Sequence, residues 1–338
     1  MKLGFFTRVL DEGSPSERYR CALAQIRCAE AEGFDSAWVA QHHFHEFEGG
    51  MPSPFVLLAQ AAALTSRIRL GTGIVTLPME MPIRVAEDAT VLDIMSGGRL
   101  ELGVGSGGNP EAFAAFGLKE ADRRTVFAEK LDALMGALRG QALSGGDHVY
   151  PARSQLVHRM WYATFSVDGA RNAGRLGMGL LLSRTQPRTK EAPDATLADI
   201  QDPMVDAYIE ALPDGVAPRI LASRSVFAAD RRDEAMRFAE IGLQRYHRRM
   251  VGLGRVPDAP RSTAEIIHRQ DVHLGTPEEV VASLKGDRIL HRATELAVQV
   301  HSVDPPHAFV LRSIELVAAH VAPAFGWRRE TVEVAHAA

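Results

Sequence analysis

Cysteine is nearly absent, with Cys21 and Cys28 making up the whole complement of a 338-residue chain. They sit seven residues apart on one expected helix, on the same face but about 10 Å from each other, too far to bridge. They read as small core residues in a reducing compartment, so the expectation is a cytoplasmic chain without a disulfide framework. Charge of one sign is also lacking. A formal net charge of −4 carries no basic excess, so neither nucleic acid nor a membrane surface is an expected partner. Long hydrophobic runs are missing as well. No apolar run reaches the roughly 18 residues of a membrane span. The start, M-K-L-G-F-F-T-R, has no long apolar region before a cleavage site, so no secretory signal is expected.

What is present is a set of short apolar runs separated by helical patterns. Hydrophobic residues make up 46% of the chain, ample for a large core in one sizeable domain or two. Runs that read as buried parallel strands are Leu3 to Thr7, Ser36 to Ala40, Ile68 to Thr76, Arg99 to Gly105, Met160 to Phe165, Gly179 to Ser183, Arg219 to Ala228 and Thr294 to Val300. Most are followed by a helical stripe. Ser16 opens one that Gly33 closes in a left-handed conformation, and Pro52-Ser53-Pro54 opens Phe55 to Leu64. Further stripes run from Pro82 to Ile94, Ala121 to Leu138, Val167 to Gly177, Met204 to Leu212, Arg232 to Met250 and Phe309 to Ala322. Thr276-Pro277-Glu278-Glu279 has the cap, the proline and the reciprocal acid of a capping box. Arg184 to Asp202 reads as a long loop, either a lid or disordered, and Val251 to Ser262 as a linker. Repeated βα units at this length predict an α/β fold, a closed (β/α)8 TIM barrel with insertion loops. A doubly wound open sheet is the alternative. No linker divides the chain, so a single domain is expected over 1–328 with a tail over 329–338.

One stretch gathers more titratable side chains than any other: A-W-V-A-Q-H-H-F-H-E-F, Ala37 to Phe47. Chemistry in parallel α/β folds sits just past the carboxyl ends of strands, and His42 and His43 fall there. Imidazole suits proton transfer near neutral pH. A histidine that merely braces a loop is the plain alternative. Zinc would need another pattern, since His42-His43 and His43-x-His45 lack the helical i, i+4 spacing, and no metal is expected. Gly71 and Gly73 lie inside the third strand, where glycine marks either close approach of a ligand or backbone, or a bend of the barrel. Ser106-Gly107-Gly108 could offer N–H groups to a phosphate or simply turn the chain. Ser166 stands at a strand–helix junction, as a helix cap, an anion site or both.

Six motifs in order resemble the bacterial luciferase-like flavin-dependent monooxygenases. They are G-F-D-S-A-W-V-A-Q-H-H-F from Gly33, R-L-G-T-G-I-V-T-L-P from Arg69, R-V-A-E-D from Arg84, L-D-I-M-S-G-G-R-L-E-L-G-V-G-S-G from Leu92, G-T-P-E-E-V from Gly275 and the terminal V-A-P-A-F. Within that family the chain is most similar to an FMN-dependent subgroup of unassigned substrate. The resemblance implies a TIM barrel that binds reduced FMN, supplied by a separate flavin reductase. Oxygen would add at the flavin C4a position as a peroxyflavin, and a small organic substrate would be oxygenated. Some relatives use the deazaflavin F420, so hydride transfer with F420 is the alternative cofactor reading, and a non-catalytic flavin-binding or partner subunit is the non-enzyme one. The family pattern implies His42 as the group acting near the flavin, with His43 beside it and Gln41 in place of the family's acid. It further implies a non-proline cis peptide at Gly73-Ile74 beneath the flavin ring. Ser106, where luciferase has an arginine, would hold phosphate together with Gly107, Gly108, Ser166 and Arg184, with Phe165 a further cofactor-binding residue. Gln41 and His301 would face the substrate, a plain loop role being the alternative for His301. A homodimer through the apolar helices Phe55 to Leu64 and Val85 to Met95 completes the expectation.

Overall fold

The computed structural model describes residues 1–189, 191–254, 259 and 261–328. The tail 329–338 and part of the expected linker, residues 255–258 and 260, lie outside the described residues. The strands are β1 (Lys2–Thr7), β2 (Ser36–Val39), β3 (Arg69–Thr72), β4 (Val75–Thr76), β5 (Leu100–Gly105), β6 (Met160–Ala163), β7 (Gly179–Leu182), β8 (Ile220–Ala228), β9 (Val272–Gly275) and β10 (Glu295–Gln299). All pairings are parallel. Around the barrel the order is β1, β2, β3 continued by β4, β5, β6, β7, β8, β10 and back to β1. That is a closed eight-stranded (β/α)8 barrel. β9 stands outside the ring; among the described residues it pairs with the far end of β8 alone, from Ser225 opposite Val272 to Ala228 opposite Gly275.

The helices are α1 (Pro15–Ala31), α2 (Pro54–Leu64), α3 (Pro82–Met95), α4 (Pro110–Ala115), α5 (Arg123–Leu138), α6 (Val167–Arg175), α7 (Leu197–Glu210), α8 (Arg232–Gly252), α9 (Thr263–Arg269), α10 (Pro277–Lys285) and α11 (His307–Leu316). Several expectations are corrected. Ser14, not Ser16, caps α1, in a capping box with Glu17. The expected loop 184–202 is shorter, because Thr196 and Asp199 form a capping box that starts α7 at Leu197. Pro203 conceals that start: an interior proline normally breaks a helix, yet here it lies within α7. The short elements α4, α9 and β9 were not anticipated, being too brief to show a period. The segment His307–Phe325 is long and apolar enough to cross a bilayer by composition. In the fold it closes the barrel wall, with Val310, Ile314, Val317 and Val321 fully buried.

Strand alternation sorts the core into two layers. Leu3, Phe5, Ala37, Val39, Leu70, Leu102, Leu180, Ala222 and Val298 join the large cluster between strands and helices. Residues of the other parity form a second cluster inside the barrel: Trp38, Trp161, Leu181, Leu221 and Ala297, with the partly buried Phe6, Ile74 and Ala163 packed on it. Trp38 and Trp161 meet edge-to-face at 5.5 Å. Polar groups close the amino-terminal end of the barrel. Glu295 accepts from Ser36 and from Trp38 Nε1 at 2.9 Å, and Glu101 accepts from Arg69 and from Trp161 Nε1 at 2.7 Å. The barrel is thus plugged at the bottom, filled in the middle and open only at the carboxyl ends of its strands.

Candidate active site at the barrel mouth

The mouth is floored by Phe6, Ile74 and Ala163, the outermost members of the inner cluster. Between β3 and β4 the Gly73–Ile74 peptide is cis, as the family resemblance implies. The two strand glycines have a spatial cause that neither sequence alternative named. A side chain at Gly71 would lie 2.2 Å from the Trp38 ring, and one at Gly73 would lie 2.6 Å from Phe6 Cε2. Gly71 makes room for a ring of the adjacent β2, and Gly73 for one of β1, two strands away.

β2 delivers the histidine loop to one side of this floor. Gln41 knits the loop to β4: its Nε2 donates to Pro52 O at 2.9 Å and to Glu80 Oε1 at 2.7 Å, and its Oε1 accepts from Thr76 N at 2.6 Å. The whole amide is therefore engaged within the chain. The His42 side chain is 30% exposed, with Nδ1 3.7 Å from Glu48 Oε2. Burial, then the positive charges of Arg8, His43 and Arg184, hold its pKa well below the ordinary histidine value. The ring is neutral at pH 7 and offers an acceptor nitrogen. His43 is buried and lies edge-on to Phe116 at 4.9 Å and beside Phe44 at 5.7 Å. Burial also lowers its pKa, with Glu80 opposing. His45 ties the loop to α4 through Glu111, Nε2 to Oε2 2.6 Å.

The β5 and β6 ends supply a second group. Gly107 is left-handed, with φ 66°. A side chain there would strike Thr76 Cγ2 at 2.4 Å, while Gly108 faces open space. Ser106 is half-buried beside them. Ser166 caps α6, its Oγ accepting from Gly169 N at 3.2 Å. Thr164, which the sequence reading passed over, accepts from Ser166 N at 3.2 Å, and a side chain at Gly169 would collide with it at 2.1 Å. Phe165 stands 57% exposed at this rim. The backbone and hydroxyls of this side can hold an anion at the start of α6.

Arg184 does not join that group. It turns toward β8 and β10, its Nε donating to Gln299 Oε1 at 2.8 Å and a terminal nitrogen to Ser225 Oγ at 3.1 Å. His301 is not at the mouth surface either. Its side chain is fully buried, with Nε2 3.1 Å from Asp11 Oδ2. The same Asp11 faces His307 at 3.4 Å and accepts from Gln25 at 2.9 Å. Arg8 is the notable residue that sequence reading left at the end of a strand without a role. Its signal was its parity, two residues past the inward-facing Phe6.

Comparison with known proteins shows the family and the fold. The sequence profile of the luciferase-like monooxygenases matches residues 1–288. The 4-hydroxyprotoasukamycin monooxygenase of Streptomyces nodosus subsp. asukaensis is 33% identical over 316 residues, 87% of this chain and 83% of the relative. The crystal structure of the monooxygenase RslO1 from Streptomyces bottropensis superposes with a TM-score of 0.81 at 26% identity, over 96% of this chain and 100% of that one. At 21% identity, the oxygenating constituent of 3,6-diketocamphane monooxygenase from Pseudomonas putida, a type II Baeyer–Villiger enzyme solved with FMN, shares the fold. Its TM-score is 0.71 over 96% of this chain and 98% of its own.

Proposed function

This chain belongs to the luciferase-like monooxygenase family, and from that membership we propose that it is a flavin monooxygenase that uses reduced FMN and O2 to oxygenate a small organic molecule. A separate reductase supplies the FMN. The observation that carries the reading is the apolar, partly open floor of Phe6, Ile74 and Ala163 at the mouth of an otherwise filled barrel, with the histidine loop that follows β2 tied to β4 through Gln41. When bound, reduced FMN would supply the two electrons that activate O2 for transfer of one oxygen atom. Its ring system fits the apolar floor. Its phosphate fits Ser106, the open backbone of Gly107 and Gly108, and Ser166 with the first N–H groups of α6.

In this reading the chain excludes water, orients the reactants and handles one proton. His42, held neutral, accepts or relays the proton that moves as oxygen is transferred. His43 braces the loop on Phe44 and Phe116. Gln41 fixes the distance between the histidine loop and β4, which follows Ile74. The chain acts as a homodimer. Support for that comes from apolar residues left open along α2 and at the start and end of α3, with Val56 72%, Met81 64% and Met95 66% exposed.

The test is an anaerobic titration of the apoprotein with reduced FMN and, separately, reduced F420, followed by mixing with oxygen. Tight FMNH2 binding and flavin reoxidation slowed by the protein support the monooxygenase. Binding of F420 alone, with no response to oxygen, replaces it with a hydride-transfer enzyme. Flavin binding with no change in oxygen reactivity and no oxygenated product points to a non-catalytic flavin-binding subunit.

A further inference from the structure

Two guanidinium groups share the barrel mouth without a carboxylate in direct contact among the described residues; Glu48 and Asp304 act on Arg8, and Asp304 on Arg184, only from a distance. Arg8 follows Phe6 on the inward face of β1, across the ring from β6 and Ser166. Arg184 reaches inward from the end of β7 to the inward-facing Ser225 and Gln299. Among the described residues, neither arginine has an acidic oxygen within 4.0 Å. Of the nearby acids, Asp304 pairs directly with Arg245 at 2.9 Å, and Glu48 accepts from Asn109 at 3.2 Å and lies 3.7 Å from the neutral His42. Arg8 Nε is buried with no partner.

This arrangement is costly. Burial, then the charge of Arg8, pushes the Arg184 pKa down to about 10. Burial lowers that of Arg8 as well. Both side chains are half-buried, and a partly desolvated guanidinium without a contact ion pair favours a counter-ion at its side. The backbone that aims Arg8 is also held in an unfavourable form. Val9, a buried β-branched residue, adopts φ 58° immediately after it. That conformation costs about 1–2 kcal/mol for an L-residue. A side chain at Gly49 would lie 1.6 Å from the Arg8 carbonyl oxygen, so the facing loop packs directly on this turn. Strain that the surroundings enforce is characteristic of functional sites.

We propose that Arg8 and Arg184 bind an anionic oxygen group of the substrate, a carboxylate or an enolate, and hold it beside His42. The proposal rests on the reading of the mouth as the reaction site. Planar guanidinium forks match planar oxyanions. A neutral analogue leaves both cations unpaired and is rejected. The position on the β1 and β10 side separates this site from the β5–β6 cradle assigned to the cofactor phosphate.

The experiment uses benzoate and benzamide as probes, titrated calorimetrically into the full-length apoprotein and into the protein saturated with FMN. Benzoate should bind at least about tenfold tighter than benzamide. Arg8→Gln and Arg184→Gln should each weaken benzoate about 10- to 100-fold and leave benzamide unchanged. Arg8→Lys, which keeps the charge and loses the fork, should fall between; thermal melts of each variant establish that it is folded. The same benzoate affinity in the variants, or no preference over benzamide, overturns the proposal. Exclusion of benzoate by FMN also overturns it, because the anion held there would then be the cofactor's own. Arginine-dependent benzoate binding in a protein that binds no flavin sustains this inference and sinks the monooxygenase reading.

Discussion

Gln41→Glu restores the acidic residue found at this position in the luciferase pattern, and the structure predicts that the change is harmful. Gln41 donates from one nitrogen to Pro52 O at 2.9 Å and to Glu80 Oε1 at 2.7 Å. A carboxylate there still accepts from Thr76 N but turns an oxygen toward two acceptors. At an effective dielectric of 20, two carboxylates at that separation repel by about 6 kcal/mol. The pair escapes by taking up one proton, which at pH 7 costs about 4 kcal/mol for an acid of ordinary pKa ~4.3. The smaller term sets the outcome. Loss of the bond to Pro52 adds about 1 kcal/mol. The folded pair has a raised apparent pKa, so the variant's stability is present below pH ~4.3 and is lost as pH rises through neutrality. Urea unfolding should show a deficit of about 2 kcal/mol at pH 5 and about 5 kcal/mol at pH 7. Adding Glu80→Gln should recover most of the pH-dependent part. An equal deficit at both pH values, or none, would refute the reasoning.

Four further outcomes are expected. Burial pushes the Glu295 carboxyl up to about 7; the folded state holds the extra proton, so stability falls by about 3 kcal/mol as pH rises from ~4.5 to 7. Glu295→Gln should flatten that slope in melts between pH 5 and 8, and an unchanged slope rejects the assignment. Gly73→Ala places a methyl group 2.6 Å from Phe6 Cε2 and should displace the ring from the floor, lowering FMN affinity by flavin fluorescence titration; wild-type affinity removes this contact from the floor. His42→Asn should lower kcat about 10²- to 10⁴-fold. Because the wild-type ring is already neutral, activity should be flat from pH 6.5 to 8; an acidic limb centred in that range would contradict the depressed pKa. Val56→Asp with Met95→Asp should give a monomer by light scattering if α2 and α3 form the contact between subunits, whereas an unchanged mass moves the interface elsewhere.

The sequence by itself determined the barrel and marked the end of it where polar residues gather. Eight short apolar runs alternating with helical stripes leave few alternatives to a closed parallel ring, because each strand must be buried on both faces. Polar residues right after such runs, His42 after Val39 and Ser166 after Ala163, locate the open end. Capping signals worked where they stood clear, as at Thr276 and Glu279. They failed at Thr196, where Pro203 masked the start of α7. Tertiary structure decided what each polar group faces. No spacing shows that Gln41 spends its amide on Pro52, Glu80 and Thr76, that His301 turns into Asp11, or that Arg184 leans away from Ser166 toward Gln299. Nor does any local pattern show that Arg8, after the first strand, and Arg184, after β7, both act electrostatically on His42. Alternation along a strand specifies which way a side chain points. What it meets depends on how the strands are staggered around the closed ring, which no segment of the chain encodes alone.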